Sequence, residues 1–435
     1  LDKSGTEKPA DYAYSMELFD DKGKEIEGNF KKDVIIRIPV DVEAFRSKGI
    51  DLNSLEGMYY STTKNAWAKA KTSTFDQESA KLTMTTDHFT DNAVVGSTAQ
   101  SDLVEDARLM MREFLQNTVK KEFEILRNRG DASGDDWSVL VKELRSRAKS
   151  EGFWLPHMPQ DVGGMGLGIT AVAAVSAEAA KVPMGPYIIN CQAPDEGNMH
   201  TLYHFATDYQ RETFLKPLLE GTARSCFSMT EPEVAGSDPT LIQTTAVQDG
   251  DDWVINGHKW FTSGAKGADF AIVIAKTDPD ASVAQARNSA FIVPLDSPGF
   301  EIVRDVETMG GKHNHPEVRY NDVRVPKENL LGERGGGHKL GQVRLGPARL
   351  AHCMRWLGQI EMALEMLIDR AQKRFAHGSL LSEKQSIQWM MSDSAMELYS
   401  SKLMVLHAAY KIENGMEFKQ EVSMAKHHVA NTLWR

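Results

Sequence analysis

Between Cys226 and Gly267 the chain changes character every few residues, and that punctuation limits what it can fold into. Phe227-Ser228-Met229 sets apolar side chains at alternate positions, which predicts a strand end. Thr230-Glu231-Pro232 stops the strand, because proline has no N–H to give to a ladder. Gly236-Ser237-Asp238 predicts a tight turn that exposes backbone N–H groups and a hydroxyl. An alternating run follows (Thr244 and Ala246, then Trp253 and Ile255), and Asn256-Gly257 is a strong hairpin signal. Lys259-Trp260-Phe261-Thr262-Ser263-Gly264 then places aromatics beside hydroxyls at the end of a strand. Such a set suits a flat ring with a polar rim, with aromatic faces to stack on and hydroxyls and amides for the edge. Ordinary hairpins of a β-barrel explain the same residues without a ligand.

Around this stretch the hydrophobic period changes three times. Residues 1–97 carry short strand patterns at Val34–Val40, Met58–Tyr60, Ala66–Ala68, Leu82–Thr86 and Ala93–Val95, the spacing of a β-sandwich-like module. Residues 98–104 are read as a linker. From 105 to 222 the period is helical: Leu103, Ala107, Met110, Met111, Phe114, Thr118 and Phe123 share one broad face, and Leu140, Val141 and Leu144 face inward on a second helix. The glycine-rich run from Val162 to Gly168 is not GxGxxG and follows no strand, so a dinucleotide-binding reading fails. Asp195 is expected to cap the helix that begins there. Residues 223–333 read as β, with Ala271–Ala275 and Ala290–Pro294 as fully buried strands. Residues 334–435 are helical, with Leu350, Met354, Leu357, Ile360, Leu364 and Leu367 on one stripe of a helix from Leu345 to Arg374. Long antiparallel helices with short connections make a bundle, and stripes this apolar suit a bundle core and a subunit interface equally. The fold class is thus multi-domain α+β.

Composition removes several functions. A net charge of −11 disfavours nucleic-acid binding, and the absence of an apolar run near 18 residues removes a membrane span. Cys191, Cys226 and Cys353 are scattered and fit buried thiols in a reducing compartment, cytoplasmic or organellar. His313 and His315 sit close together but have no third ligand spaced for zinc, so no metal is expected. His88 reads as a sandwich-edge residue rather than a ligand. The chain opens on Leu1 and a polar stretch without a signal peptide, and is expected to be an excerpt of something longer.

The segments CFSMTEPEVAGSD and WVINGHKWFTSGA resemble the two flavin-contacting segments of the acyl-CoA dehydrogenase family, and the resemblance runs from about Glu105 to the end. The branch it resembles is the one whose larger members carry a kinase-like domain; residues 1–97 weakly resemble a β-sandwich module of bacterial surface proteins. The resemblance implies an α-helical domain, a central β-barrel and a C-terminal helical bundle. It also implies FAD, with α-proton abstraction from an acyl-CoA and hydride transfer to flavin N5. Flavin is the sink such chemistry needs, because no side chain accepts a hydride. By position, Phe227, Ser228, Met229 and Thr230 match residues lining the ring. Gly236 and Ser237 match the turn that meets flavin phosphate and substrate. Trp260 or Phe261 matches the stacking aromatic, and Thr262 or Ser263 the hydroxyl near N5. Arg374 matches an arginine reaching the FAD pyrophosphate of a neighbouring subunit, a task that suits a guanidinium fork. Gln385 matches a glutamine of the same region, and Arg349 an arginine near the CoA portion of the substrate, although Gly346 stands where the family carries an acid.

The resemblance supplies no catalytic base. In some relatives it immediately precedes the arginine matched by Arg349, where Ala348 stands here; in most it lies in a later segment, beyond Arg435. Residues 1–435 are therefore expected to bind FAD weakly and turn over little acyl-CoA. The implied partners are an electron-transfer flavoprotein and further copies of the chain, as a homodimer or homotetramer. An acyl-CoA oxidase or flavin monooxygenase on the same fold is the alternative enzyme, and a surface or interaction protein the non-enzymatic one.

Overall fold

The computed structural model describes seven strand segments between Ala13 and Val95, and the chain from Ala99 onward apart from positions 310 and 313. Side chains are described at 73–76 and from 104 on, position 347 aside. The side chains of His88 and His313 lie outside the described residues. The chain divides into two compact units, Leu1–Ala107 and Arg108–Arg435.

In the first unit, strands β1 (Ala13–Tyr14), β2 (Asn29–Pro39), β3 (Glu56–Ser61), β4 (Ala66–Lys69), β5 (Thr72–Asp76), β6 (Lys81–His88) and β7 (Asn92–Val95) form two antiparallel sheets. One has the order β1-β7-β3-β4 and the other β2-β6-β5. The short strand patterns of the sequence fall on β2, β3, β4, β6 and β7, with Val40 outside the described residues.

The second unit begins within α1 (Ala99–Phe114), which runs through a π turn (Leu115–Lys120) into α2 (Lys121–Asn128). Helix α3 (Gly134–Ser150) starts on a capping box between Ser133 and Asp136. The π turn adds a residue to the helical repeat, so the inward face is Met111, Phe114, Leu115, Val119 and Phe123. Met110, expected on that face, is exposed, and Leu115 and Val119 are buried instead. Helix α4 (Ile169–Ala180) is alanine-rich and packs closely.

Eight strands follow in one sheet: β8 (Ser225–Ser228), β9 (Thr245–Asp249), β10 (Asp252–Lys259), β11 (Phe270–Lys276), β12 (Asn288–Pro294), β13 (Phe300–Asp305), β14 (Pro316–Pro326) and β15 (Leu330–Leu331). Their order is β13-β14-β10-β9-β11-β12-β15, with β8 pairing parallel to β11. The core inside the curve holds Trp253, Ile255, Ala271, Val273, Phe291 and Tyr320, matching the expected alternation. Asn256-Gly257 is not the hairpin. The turn between β9 and β10 lies at Gly250-Asp251, and Gly257 sits at a bulge in β10 against β14. Any side chain at Gly257 would run into Thr244, and Asn256 is held across the sheet by the backbone and carboxylate of Asp322. Tertiary pairing thus overrides a local turn preference.

Helices α5 (Asp195–Phe205), α6 (Gly337–Lys373), α7 (Gln385–Glu413) and α8 (Lys419–Trp434) complete the unit. Helix α6 begins eight residues before the expected Leu345, because Gly337 fits under the Asn288-Ser289 backbone of β12 where a side chain would not. Helices α4, α6, α7 and α8 share a core of Val172, Leu350, Met354, Val405, Ala409 and Val429. At Gly358 a Cβ would meet the Ala177 carbonyl, so glycine sets the close approach of α6 to α4. No helix among the described residues is long and apolar enough to cross a membrane.

Candidate active site

The candidate site forms where β8, the end of β10, α5 and α6 meet. Asn198 of α5 donates to Ser225 Oγ (2.9 Å) and the Cys226 carbonyl (3.1 Å) of β8, and its Oδ1 accepts Arg344 Nε of α6 (3.0 Å). The Arg344 guanidinium lies 4.1 Å from the centre of the Phe227 ring. Burial draws Arg344 down to about 10 against the pull of Glu196. Asp195 is no helix cap. It accepts from Ser225 N and Ser225 Oγ (2.7 Å each) and pairs with Arg224 Nε. The helix starts after Pro194 without a side-chain cap. The carboxylate is turned to tertiary use because β8 presents an N–H and a hydroxyl that need acceptors.

The expected ring-facing residues lie on two crossing backbones. Thr230 and Trp260 are joined twice: Trp260 N donates to Thr230 O (3.1 Å), and Thr230 Oγ1 donates to Trp260 O (2.9 Å). Phe227, Met229, Thr230 and Trp260 are half-buried, and Phe261 is 43% exposed with a positive φ of 49°. The Trp260 and Phe261 rings lie 4.9 Å apart. Ser228 faces the other way, into the sheet, where Tyr320 donates to its hydroxyl (3.0 Å). Thr262 is fully buried with its hydroxyl 3.5 Å from that of Ser228. The half-buried Ser263 hydroxyl lies 2.8 Å from His315 Nδ1.

Gly236 and Ser237 are exposed in the turn, which Asp238 closes by accepting from Thr240 N (3.0 Å) and Oγ1 (2.6 Å). Among the described residues, their amides enter no backbone hydrogen bond. Arg349, exposed on α6, lines a groove of about 470 Å³ with Ser423, Lys426, His427 and Asn431 of α8. Arg374 and Gln385 are exposed on either side of the hairpin β16 (Phe375–Ala376) and β17 (Ser379–Leu380). Arg374, just past the end of α6, lies 30 positions on from Arg344, roughly 45 Å along the helix. The structure therefore gathers the residues of β8 and β10 at one place and sets Arg374 and Gln385 far from them within the chain.

Sequence reading missed Asn198, Arg344 and a buried polar cluster behind them. Glu196 pairs with Arg355 Nη1 (2.6 Å); burial raises its pKa, but Arg355 and His157 outweigh that and hold it below the usual carboxylate range. His157 and His200 pack edge to face at 5.3 Å, and both ring nitrogens of His157 are without a partner. Burial pushes His157 down to about 3, against the pull of Glu196. No local motif marks these groups, because their partners come from elements 27 to 159 residues away. Among the described residues no three His, Cys, Asp or Glu gather to hold a metal.

This architecture is a helical segment, a single β-sheet and a helical bundle, with an aromatic, hydroxyl-bearing edge at their junction. Three family models for acyl-CoA dehydrogenase match from residue 101 on: the N-terminal domain over 101–222, the middle domain over 226–323 and the C-terminal domain over 335–435. The probable acyl-CoA dehydrogenase FadE2 of Mycobacterium tuberculosis is 38% identical over 337 residues, 75% of this chain and 82% of the relative. The chain belongs to the acyl-CoA dehydrogenase family. Mouse acyl-CoA dehydrogenase family member 10 is 39% identical over 297 residues, 66% of this chain, yet the chain spans only 28% of it. The solved structure of a putative acyl-CoA dehydrogenase from Mycobacterium abscessus matches with TM-score 0.69 and 32% identity, over 76% of this chain and 87% of its own. The FAD complex of PigA matches with TM-score 0.65 at 22% identity, over 78% of this chain and 85% of its own, a likeness of fold.

Proposed function

We propose that this protein oxidises the α,β bond of an acyl-CoA thioester with FAD as its resident cofactor. The observation that carries the reading is the doubly hydrogen-bonded crossing of Thr230 and Trp260. It presents half-buried aromatic and apolar groups on one edge, beside unpaired turn amides at Gly236 and Ser237. This donor set fits a flavin: Phe227, Met229, Thr230 and Trp260 for the ring, and Gly236 and Ser237 for phosphate oxygens. Phe261 offers a second aromatic face. Of the two hydroxyls beyond it, that of Ser263 lies towards the surface while that of Thr262 is turned into the sheet, which favours Ser263 for the ring edge. Bound FAD supplies the hydride acceptor that side chains lack.

The remaining roles follow from charge and distance. Arg349 and Lys426 make the α6–α8 groove cationic, which suits the phosphates of CoA. The distance of Arg374 and Gln385 from Arg344 suits their use on the cofactor of a second copy. Helix α7 carries a seam for such a copy: Trp389, Met396, Leu403 and Tyr410 recur every seven residues, interleaved with Tyr399 and Leu406, and all are exposed. No proton acceptor is assigned. Glu231 is held by Lys259, Glu196 by Arg355, Asp195 by Arg224 and Ser225, and Asp238 by Thr240. An electron-transfer flavoprotein is the proposed electron acceptor.

The visible spectrum of the purified protein, titrated with FAD and then acyl-CoAs, tests the reading. Flavin bands that develop on titration with FAD and weaken on gel filtration, shifted by a bound acyl-CoA but little bleached because no proton acceptor is assigned, are the expected result. Failure to bind FAD would refute it, and reoxidation by oxygen faster than by electron-transfer flavoprotein would make the protein an oxidase.

A further inference from the structure

The pair Lys259–Glu231 lies directly behind the proposed ring-facing edge and is cut off from solvent, with side chains 0% and 1% exposed. Lys259 Nζ has three protons and three acceptors: the Met229 carbonyl (2.8 Å), Glu231 Oε1 (2.9 Å) and the Ile274 carbonyl (2.8 Å). Glu231 in turn accepts from Gln243 N (2.7 Å) and Thr244 N (2.9 Å). One ammonium and one carboxylate therefore join the exit of β8, the entry of β9, the end of β10 and the middle of β11. Burial lowers Lys259 to about 8 with Glu231 pulling against it, and three acceptors around Nζ call for the ammonium as the form present at neutral pH.

The position of the pair in the chain gives it a second meaning. Strand β8 ends at Ser228, so no ladder holds the Met229 carbonyl; Lys259 does. The next residue on each side makes the Thr230–Trp260 crossing. The two backbones are cross-linked at 229/259 through a side chain and at 230/260 through the main chain. Closing a sheet end needs only an apolar side chain, and a buried ion pair is commonly no more stabilising than a hydrophobic pair of the same volume. What an apolar pair does not do is grip a carbonyl.

We propose that Lys259, locked by Glu231, is a positioning residue for the cofactor: it fixes Met229 and Thr230 against Trp260 and so sets how well this edge holds a flavin. The inference rests on the flavin reading above.

The test separates positioning from stability. The single variant Lys259→Met leaves the Glu231 carboxylate buried without its counter-ion and the Met229 and Ile274 carbonyls without a donor, whereas the double variant Glu231→Leu/Lys259→Met removes both charges together and leaves only backbone groups unpaired. FAD affinity of the apoproteins is read by flavin fluorescence, the bound flavin by its visible band shape, and fold stability by apoprotein melting. The single variant is expected to melt lower and bind FAD more weakly. The double variant is expected to melt above the single one, because no unpaired charge remains buried, while FAD affinity stays at least about tenfold weaker than wild type with an altered band shape. FAD affinity that returns with stability overturns the proposal, as does a single variant that binds like wild type. A double variant that melts no higher than the single one overturns it too, because the pair is then a stability element. If the unaltered protein binds no FAD, the flavin reading itself falls; wild-type binding with unchanged variants overturns this inference alone.

Discussion

His157→Leu isolates the cost of the buried histidine pair. The folded protein holds His157 neutral down to about pH 3, whereas an unfolded chain protonates it near 6.5. Because the folded pKa lies below the unfolded one, the unfolded state takes up the proton first, and stability falls as pH drops below 6.5. Between pH 7 and pH 5 one such proton costs about 2 kcal/mol, from 1.36 kcal/mol per unit over the fraction of that interval below 6.5. His200 and His352, also lowered by burial, act in the same direction and persist in the variant. Glu196, held below its ordinary value, gives up stability only as pH falls through the carboxylate range, outside this window. Both ring nitrogens of His157 lack partners, so leucine of similar volume removes an unsatisfied polar group worth about 1–3 kcal/mol at any pH. Urea unfolding followed by tryptophan fluorescence, to which the buried Trp154 contributes from three residues away, measures the difference. The variant should be at least as stable as wild type at pH 7 and lose about 2 kcal/mol less on going to pH 5. Equal losses would show that the folded protein accommodates the proton at His157, and the reasoning would fail.

Two further substitutions probe the anchoring of the site and the bundle. Asp195→Ala leaves Arg224 and the Ser225 N–H without their acceptor and should cost about 3–5 kcal/mol, read as a lowered urea midpoint; a shift below about 1 kcal/mol would mean that β8 does not depend on this carboxylate. Gly358→Ala drives a methyl into the Ala177 carbonyl and should cost about 1–3 kcal/mol in thermal unfolding by forcing α4 and α6 apart, whereas the same change at the open Gly341 should be neutral or stabilising.

Local signals in the chain specified the elements that carry their own pattern. The runs 271–275 and 290–294 are strands buried end to end, the stripe from Leu350 to Ile360 faces a bundle core, and the crossover from helical to β period near 223 is where the sheet begins. Period and turn chemistry act over a few residues, so a short window suffices to read them. The residues around Phe227 and Trp260 were legible for the same reason, as an aromatic and hydroxyl pattern next to a strand stop.

Tertiary structure alone decided which of those residues face outward and what holds them. Asn256-Gly257 became a bulge because β14 pairs across it, and Asp195 became an anchor because Arg224 and Ser225 reach it from another element. Ser228 and Thr262 turned inward, towards Tyr320. Lys259 and Glu231, read along the chain, are an ordinary charged pair on either side of a loop. Only folding, which strips both of water and leaves three carbonyl and carboxylate oxygens around one ammonium, makes them a fixed point of the site. Desolvation and long-range pairing depend on what surrounds a residue in space, and a sequence records only what precedes and follows it.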